Sequence, residues 1–205
     1  DHGARVDRLR VHAALGISVE GVASIASLGT GVAYYLGVVP PAALRRVWQY
    51  AALTHVLRLL ATMPASLPLT ESVPALNRGI ASAFGAPNAA IMVWDEAEQA
   101  LVSPGETLDL YPDYHPASPL VTRVFESQRA QFFEDAPALD PANGPLYRRL
   151  DSYSVLVAPI RTASGPIGVL AFYAPRASVF SSDDLLFAEA VSEQVAAFFV
   201  RHELV

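Results

Sequence analysis

Apolar and polar positions along the chain change period from helical to strand-like and back. Residues 42–63, AALRRVWQYAALTHVLRLLATM, set Leu44, Val47, Ala51, Leu53, Leu57 and Leu60 in a helical repeat with the arginines to one side, which predicts a helix. PASLPL breaks it. Residues 71–85, ESVPALNRGIASAFG, place Val73, Leu76, Ile80 and Phe84 on one face and stop at Gly85, predicting a second helix. AAIMVWD, the charged turn DEAEQ and ALVS then read as a strand, a turn and its partner strand. The proline-rich PGETLDLYPDYHPAS is expected to hold a short strand and a long loop. SPLVTRVFES follows as a short helix capped by Ser118 with Pro119 in its first turn, leading into the strand AQFFED. DAPALDPANGP reads as a loop. YSVLVAPI and GPIGVLAFYA flank a TASGP turn and predict a hairpin, and a helix runs from about Ser182 to the end, with Ser181 and Asp184 spaced like a capping box.

The first forty residues have a different character. VHAALGISVEGVASIASLGTGVAYYLGVVPP carries one formal charge, Glu20, and follows Arg5, Arg8 and Arg10. Three expectations stand open for it. Residues 13–39 are long enough for a transmembrane helix with flanking arginines and with Tyr34, Tyr35 and Trp48 at one end. Leu15, Val22, Ile25, Val32 and Leu36 also make the single stripe of a soluble dimer-forming helix. SVEGVASIASLGTGVAYYL further resembles the helix–turn–helix of tetracycline-repressor-type proteins, yet its second half offers no arginine, lysine, asparagine or glutamine to a base edge. The expected division is an N-terminal helical segment, 1–48, and a second domain, 49–205.

Composition narrows the chemistry. The absence of cysteine removes disulfides, thiolate nucleophiles and thiolate metal sites, and the fourteen basic residues are all arginine, which removes Schiff-base and P-loop lysines. A net charge of −6 argues against a general grip on nucleic acid. Hydrophobic residues at 52 % and charged ones at 17 % favour a large buried core or a membrane contact.

The element order is α+β around an antiparallel sheet. Three stretches together resemble a GAF domain: LTHVLRLLATMPASLPLTESVPALNRGIASAFGAPNAAIMVWD, LVTRVFESQRAQFFEDA, and SVLVAPIRTASGPIGVLAFYAPRASVFSSDDLLFAEAVSEQVAAFF. Pro159, Gly168 and Asp184 fall at the family's familiar proline, glycine and acidic cap. The resemblance covers about three quarters of the chain. It implies a GAF-like central antiparallel sheet of five to six strands flanked by helices, with the extra N-terminal helical segment.

It further implies a non-enzymatic sensory domain of a bacterial signalling protein, of the kind found in two-component systems. Such a domain binds a small ligand, forms a homodimer through its terminal helices and relays to a covalently linked output domain. The family's methionine sulfoxide reductases use cysteines, which this chain lacks. The expected setting is cytoplasmic, or membrane-associated if residues 13–39 span a bilayer. Two alternatives carry forward: a degenerate GAF dimerisation spacer without ligand, and a ligand-responsive transcription regulator reading DNA through residues 10–50. No cofactor is specified.

Residues expected around a ligand are Tyr111, Tyr114, His115, Phe132, Tyr153, Arg161 and Phe172, aromatic walls with a few polar groups. His115 could bond a ligand through its imidazole, while Arg161, and Arg148 with Arg149, could clamp an anion. Asp95, Glu96 and Glu98 read as a solvated turn, Asp183 and Asp184 as helix capping. No catalytic or metal-binding set is assigned. In the last helix Ala188, Val191, Val195, Phe198 and His202, with Leu185 and Phe199 alongside, recur at heptad-like spacing, part for the sheet and part for a partner helix.

Overall fold

The computed structural model describes residues 42–64, 66–105, 118–175 and 182–201. The chain divides into two units, Asp1–Trp48 and Gln49–Val205, and the architecture that follows is that of the second. Helices α1 (Ala42–Thr62) and α2 (Leu69–Phe84) precede a hairpin of β1 (Asn88–Asp95) and β2 (Ala100–Val102). Helix α3 (Pro119–Ser127) leads to β3 (Gln131–Phe133), followed by α4 (Ala136–Leu139), a 3-10 turn (Pro141–Asn143) and α5 (Gly144–Arg149). The hairpin of β4 (Ser154–Thr162) and β5 (Gly165–Ala174) and the long α6 (Ser182–Arg201) complete the order. All pairings are antiparallel, in the order β2-β1-β5-β4-β3. The α+β class therefore holds, with five strands among the described residues. Residues 13–39 and 106–117, with the three readings of the first and the expected short strand of the second, lie outside the described residues. Among the described residues no helix is long and apolar enough to cross a membrane.

Strand alternation sends successive side chains to opposite faces, and both faces of this sheet are covered. Ala89, Ile91, Leu156, Ala158, Ile160, Leu170 and Phe172 meet α1, α2 and α6. Ala90, Met92, Val155, Val157, Val169, Ala171 and Tyr173 meet α3 and the α4–α5 segment. Coverage on both sides explains why β4 and β5 read as nearly unbroken apolar runs.

Helix α2 buries the stripe its sequence predicts: Val73, Leu76 and Ile80 are fully buried, and Phe84 packs its ring 3.9 Å from that of Phe172. The other two helices depart from expectation in different ways. On α1 the inward residues are Ala52, Val56 and Leu60, while Ala51 and Leu57 are exposed. On α6 the described members of the expected heptad set, Ala188, Val191, Val195 and Phe198, together with Phe199, all face the core, leaving Leu186 and Val200 outward. None of that set is therefore left for a partner helix among the described positions. Both helices are apolar on more than one side, so periodicity gave no unique phase.

The sheet edge beside α2 is closed by side chains. Beyond β2's short pairing with Val93–Asp95, the Ile91 amide donates to Asn77 Oδ1 at 2.8 Å, and Ser103 Oγ donates to the Ile91 carbonyl at 2.9 Å. Both backbone groups would otherwise be buried without partners. Pro159 likewise stands past the residues of β4 that pair with β3, Val155–Val157, where that edge has no strand partner among the described residues and a missing N–H is tolerated. Gly168 pairs with both Val93 and Ile160, and a β-carbon there would lie 2.1 Å from the Met92 carbonyl oxygen. Only glycine lets β5 approach β1 this closely.

Candidate functional site

The face opposite the three helices owes its construction to prolines. DAPALDPANGP, expected to be a loop, folds instead as α4, the 3-10 turn and α5. Each of these begins with a proline in its first two positions: Pro137, Pro141 and Pro145. The ring presets φ for a helical first turn, and its missing N–H falls where a helix leaves amides unbonded in any case. Asp135 caps α4, its Oδ1 accepting from the Ala138 amide at 3.1 Å. The folded segment lies with α3 over the sheet, where Leu120, Val121, Val124, Ala136 and Tyr147 join the core of that face. Trp94 of β1 stacks on Phe125 of α3, with ring centroids 5.2 Å apart and planes 12° apart.

At the junction of α4 and the 3-10 turn sits Asp140, with 0 % of its surface exposed. Its Oδ2 accepts three hydrogen bonds: from Ser118 Oγ at 2.6 Å, from Tyr147 OH at 2.9 Å and from Asn143 Nδ2 at 3.0 Å. The three donor residues are themselves buried. Its Oδ1 is buried with no hydrogen-bond partner. Ser118, expected to cap α3, makes no side-chain capping bond; its hydroxyl is turned to donate to the carboxylate, a stronger bond than a neutral cap. The carboxylate thereby ties the start of α3 to the α4–α5 segment 22 residues later. Among the described residues the single histidine is the exposed His55 of α1.

Of the ligand residues expected from sequence, the described ones, Phe132, Tyr153, Arg161 and Phe172, do not come together. Tyr111, Tyr114 and His115 lie outside the described residues. Phe132 and Phe172 belong to the three-helix side, with Phe172 fully buried and Phe133, not Phe132, facing α3. Tyr153, 43 % exposed, donates through its hydroxyl to Asp135 Oδ2 at 3.1 Å. That bond, then the negative charge of Asp135, a little desolvation and the charge of Glu134 hold its phenol above the ordinary 10.0. Arg161 is exposed at the end of β4, and its Nη1 donates to the Gln128 carbonyl at 3.3 Å. It borders an open, mostly apolar cleft of about 410 Å3 against α6, lined also by Glu193, Ala197, Val200 and Arg201. Arg148 and Arg149 are exposed at the end of α5. Asp95 makes the expected turn, its Oδ1 accepting from the amides of Ala97 and Glu98. Asp140, Asn143 and Tyr147 were missed because their segment read as loop; the signal was the repeated Asp-x-Pro, Asp-Pro and Asn-Gly-Pro spacing, a capping residue before each proline.

The sequence matches a family model described as GAF domain over residues 67–200. Among solved structures, a free methionine-R-sulfoxide reductase from Neisseria meningitidis in complex with its substrate is similar with a TM-score of 0.60 and 16 % identity, over 76 % of this chain and 90 % of that one. The GAF domain of an Acinetobacter phosphoenolpyruvate-protein phosphotransferase gives 0.54 and 18 %, over 77 % of this chain and 95 % of that one. A segment of a methyl-accepting chemotaxis protein gives 0.52 and 20 %, over 73 % and 97 %. No curated protein matches the sequence. Identities this low speak for a shared fold.

Proposed function

The chain belongs to the GAF domain family, and from that premise we propose that it is a non-enzymatic sensory module of a signalling protein, binding a small molecule on the α3 face of its sheet and passing the event to α1 and α6. The observation that carries this reading is Asp140, a buried carboxylate with one oxygen held by three side chains and the other without a partner. Polar groups placed inside an otherwise apolar layer are the ordinary makings of a ligand site. The family resemblance implies cysteine chemistry for its methionine sulfoxide reductases, and this chain has no cysteine.

The relay half of the proposal rests on the terminal helices. Gln49 Nε2 donates to Asp184 Oδ1 at 3.1 Å near their starts, and Arg201 Nη2 donates to the Leu60 carbonyl at 2.9 Å near their ends. Helices α1 and α6 therefore run parallel, so that the chain enters along one and leaves along the other in the same direction. Their outer surface carries Tyr50 (76 % exposed), Leu57, Leu186 (66 %) and Val200 (55 %). Apolar side chains repeated along such a surface suit a second copy of the helix pair and an output domain in line with α6.

A dimerisation spacer without ligand is the second reading. It is favoured by Phe133, Tyr147 and Tyr173, buried side chains of the protein's own that fill much of the α3 face.

Native mass spectrometry of the protein purified without added ligand, read with its visible absorption spectrum, tests the choice. The sensory reading expects a co-purified small molecule on a dimer; a ligand-free dimer gives the spacer reading, and a monomer at micromolar concentration overturns the relay. Leu186→Glu with Val200→Glu is expected to convert the dimer to monomer in sedimentation equilibrium without altering the circular dichroism spectrum.

A further inference from the structure

We infer that the ligand taken at Asp140 is a small organic cation, a primary ammonium or an amidinium, whose N–H group donates to Oδ1. The inference rests on the ligand-binding reading above and gives it a chemistry. Two deficits meet at this carboxylate. The first is a missing donor: three side chains, Ser118, Asn143 and Tyr147, converge on Oδ2, and none reaches Oδ1. The second is a missing charge. All three donors are neutral, the chain has no lysine, and no described residue makes an ion pair with Asp140. A carboxylate buried among apolar side chains without a counter-charge is costly. A neutral N–H would supply the donor and leave the charge uncompensated. An ammonium or amidinium supplies both through one charge-assisted bond.

The arrangement of the other three groups fits this role. Hydrogen bonds to Oδ2 from three directions fix the plane of the carboxylate, so Oδ1 is held in one position. A site of this kind is preorganised, and a cation entering it has no carboxylate rotamer left to order. The apolar residues of the layer, Leu120, Val121, Val124 and Ala136, would meet the hydrocarbon part of the ligand.

The test uses two cations, methylammonium and benzamidine, with neutral benzamide and anionic benzoate as controls, titrated at constant ionic strength into the full chain and its Asp140→Asn variant. The readouts are calorimetry and the NMR signal of the Asn143 side-chain amide, which reports from beside the carboxylate. The expected result is saturable binding of at least one cation that shifts the Asn143 signal, with no binding of benzoate. Benzamide should bind at least about tenfold more weakly than benzamidine, and D140N should lose at least about tenfold in cation affinity, as for other charge-assisted bonds. Tyr147→Phe keeps the carboxylate and is expected to keep the preference for the cation, which preserves the test if D140N does not fold.

The inference is overturned if neither cation binds, if benzamide matches benzamidine, or if D140N binds cations like the parent. A neutral or anionic co-purified molecule, with no cation bound, sinks this inference and leaves the sensory reading standing. No co-purified molecule and no cation binding would overturn both.

Discussion

Replacing Asp140 by alanine removes the one acceptor shared by three buried donors. Ser118, Asn143 and Tyr147 each have almost no exposed surface, so water cannot take the place of the carboxylate without opening the segment. A buried donor left unsatisfied costs about 1–3 kcal/mol. The full cost for three would be an upper bound, because two of the donors are hydroxyls that can rotate toward other acceptors. Deleting the unpartnered Oδ1 also relieves an existing penalty. The expected net loss is therefore about 2–4 kcal/mol. Asp140→Asn is the informative companion: its amide oxygen can still accept from all three donors, and the expected loss is about 1 kcal/mol or less. Equilibrium urea unfolding followed by circular dichroism separates the two. With a slope of about 2 kcal/mol/M, D140A should lower the midpoint by roughly 1–2 M and D140N by less than about 0.5 M. If D140A stays within about 1 kcal/mol of the parent, the three bonds are not holding the segment together. If D140N is as damaging as D140A, charge and not the shared acceptor is what the segment needs.

Gly168→Ala is expected to destabilise by about 1–3 kcal/mol in the same assay, because the new methyl meets the Met92 carbonyl and must push β1 and β5 apart. Asn77→Ala leaves the buried Ile91 amide without its acceptor and should cost about 1–3 kcal/mol, with faster hydrogen exchange at that amide as the local signature. For Tyr153, the folded phenol titrates above the unfolded 10.0, so its bond to Asp135 contributes stability in full below pH 10 and loses it as pH rises through the folded value. Phenolate absorbance, taken as the difference between the parent and Tyr153→Phe, should show this late titration, and Asp135→Asn should return it to the ordinary range.

The parts of the fold that were legible share a property: their pattern admits one orientation. Helix α2 has apolar residues on a single stripe, so Val73, Leu76 and Ile80 could face only one way. The β4–β5 hairpin, buried on both faces, needs no phase at all, and its apolar runs marked it directly. Helix α6 is apolar on nearly every side, so the sequence carries a helix but leaves open which stripe meets the sheet. Phe132 and Phe172 show the same limit in strands. Alternation says that Phe132 and Phe133 point apart, and only the three-dimensional layering says which of them meets α3. The segment around Asp140 differs for another reason: it reads as a loop, yet each of its prolines stands at a helix start. A buried carboxylate is also invisible to composition. Asp140 looks like any loop aspartate until the distances to Ser118, Asn143 and Tyr147 are known.

Those distances also limit how an event at Asp140 could reach the terminal helices. Ser118 opens α3, and α3 packs over β4 and β5 through Val155, Val157, Val169 and Ala171. The intervening residues of the same strands, Leu156, Ala158, Leu170 and Phe172, lie on the opposite face among α1, α2 and α6. Among the described residues no helix bridges the two layers there, and the sheet lies between them. A ligand that draws Asp140 toward itself would shift α3, and two routes lead from there to α6: the backbone of β4 and β5, and the Ala130 amide just past α3, which donates to Glu189 Oε1 of α6 at 3.3 Å. Close packing makes the first route stiff, since a displaced Val157 moves Leu156 and Ala158 with it. The hydrogen bonds of Arg201 to the Leu60 carbonyl and of Gln49 to Asp184 then couple α6 to α1 at both ends. On the relay reading proposed above, the two helices would move as a pair.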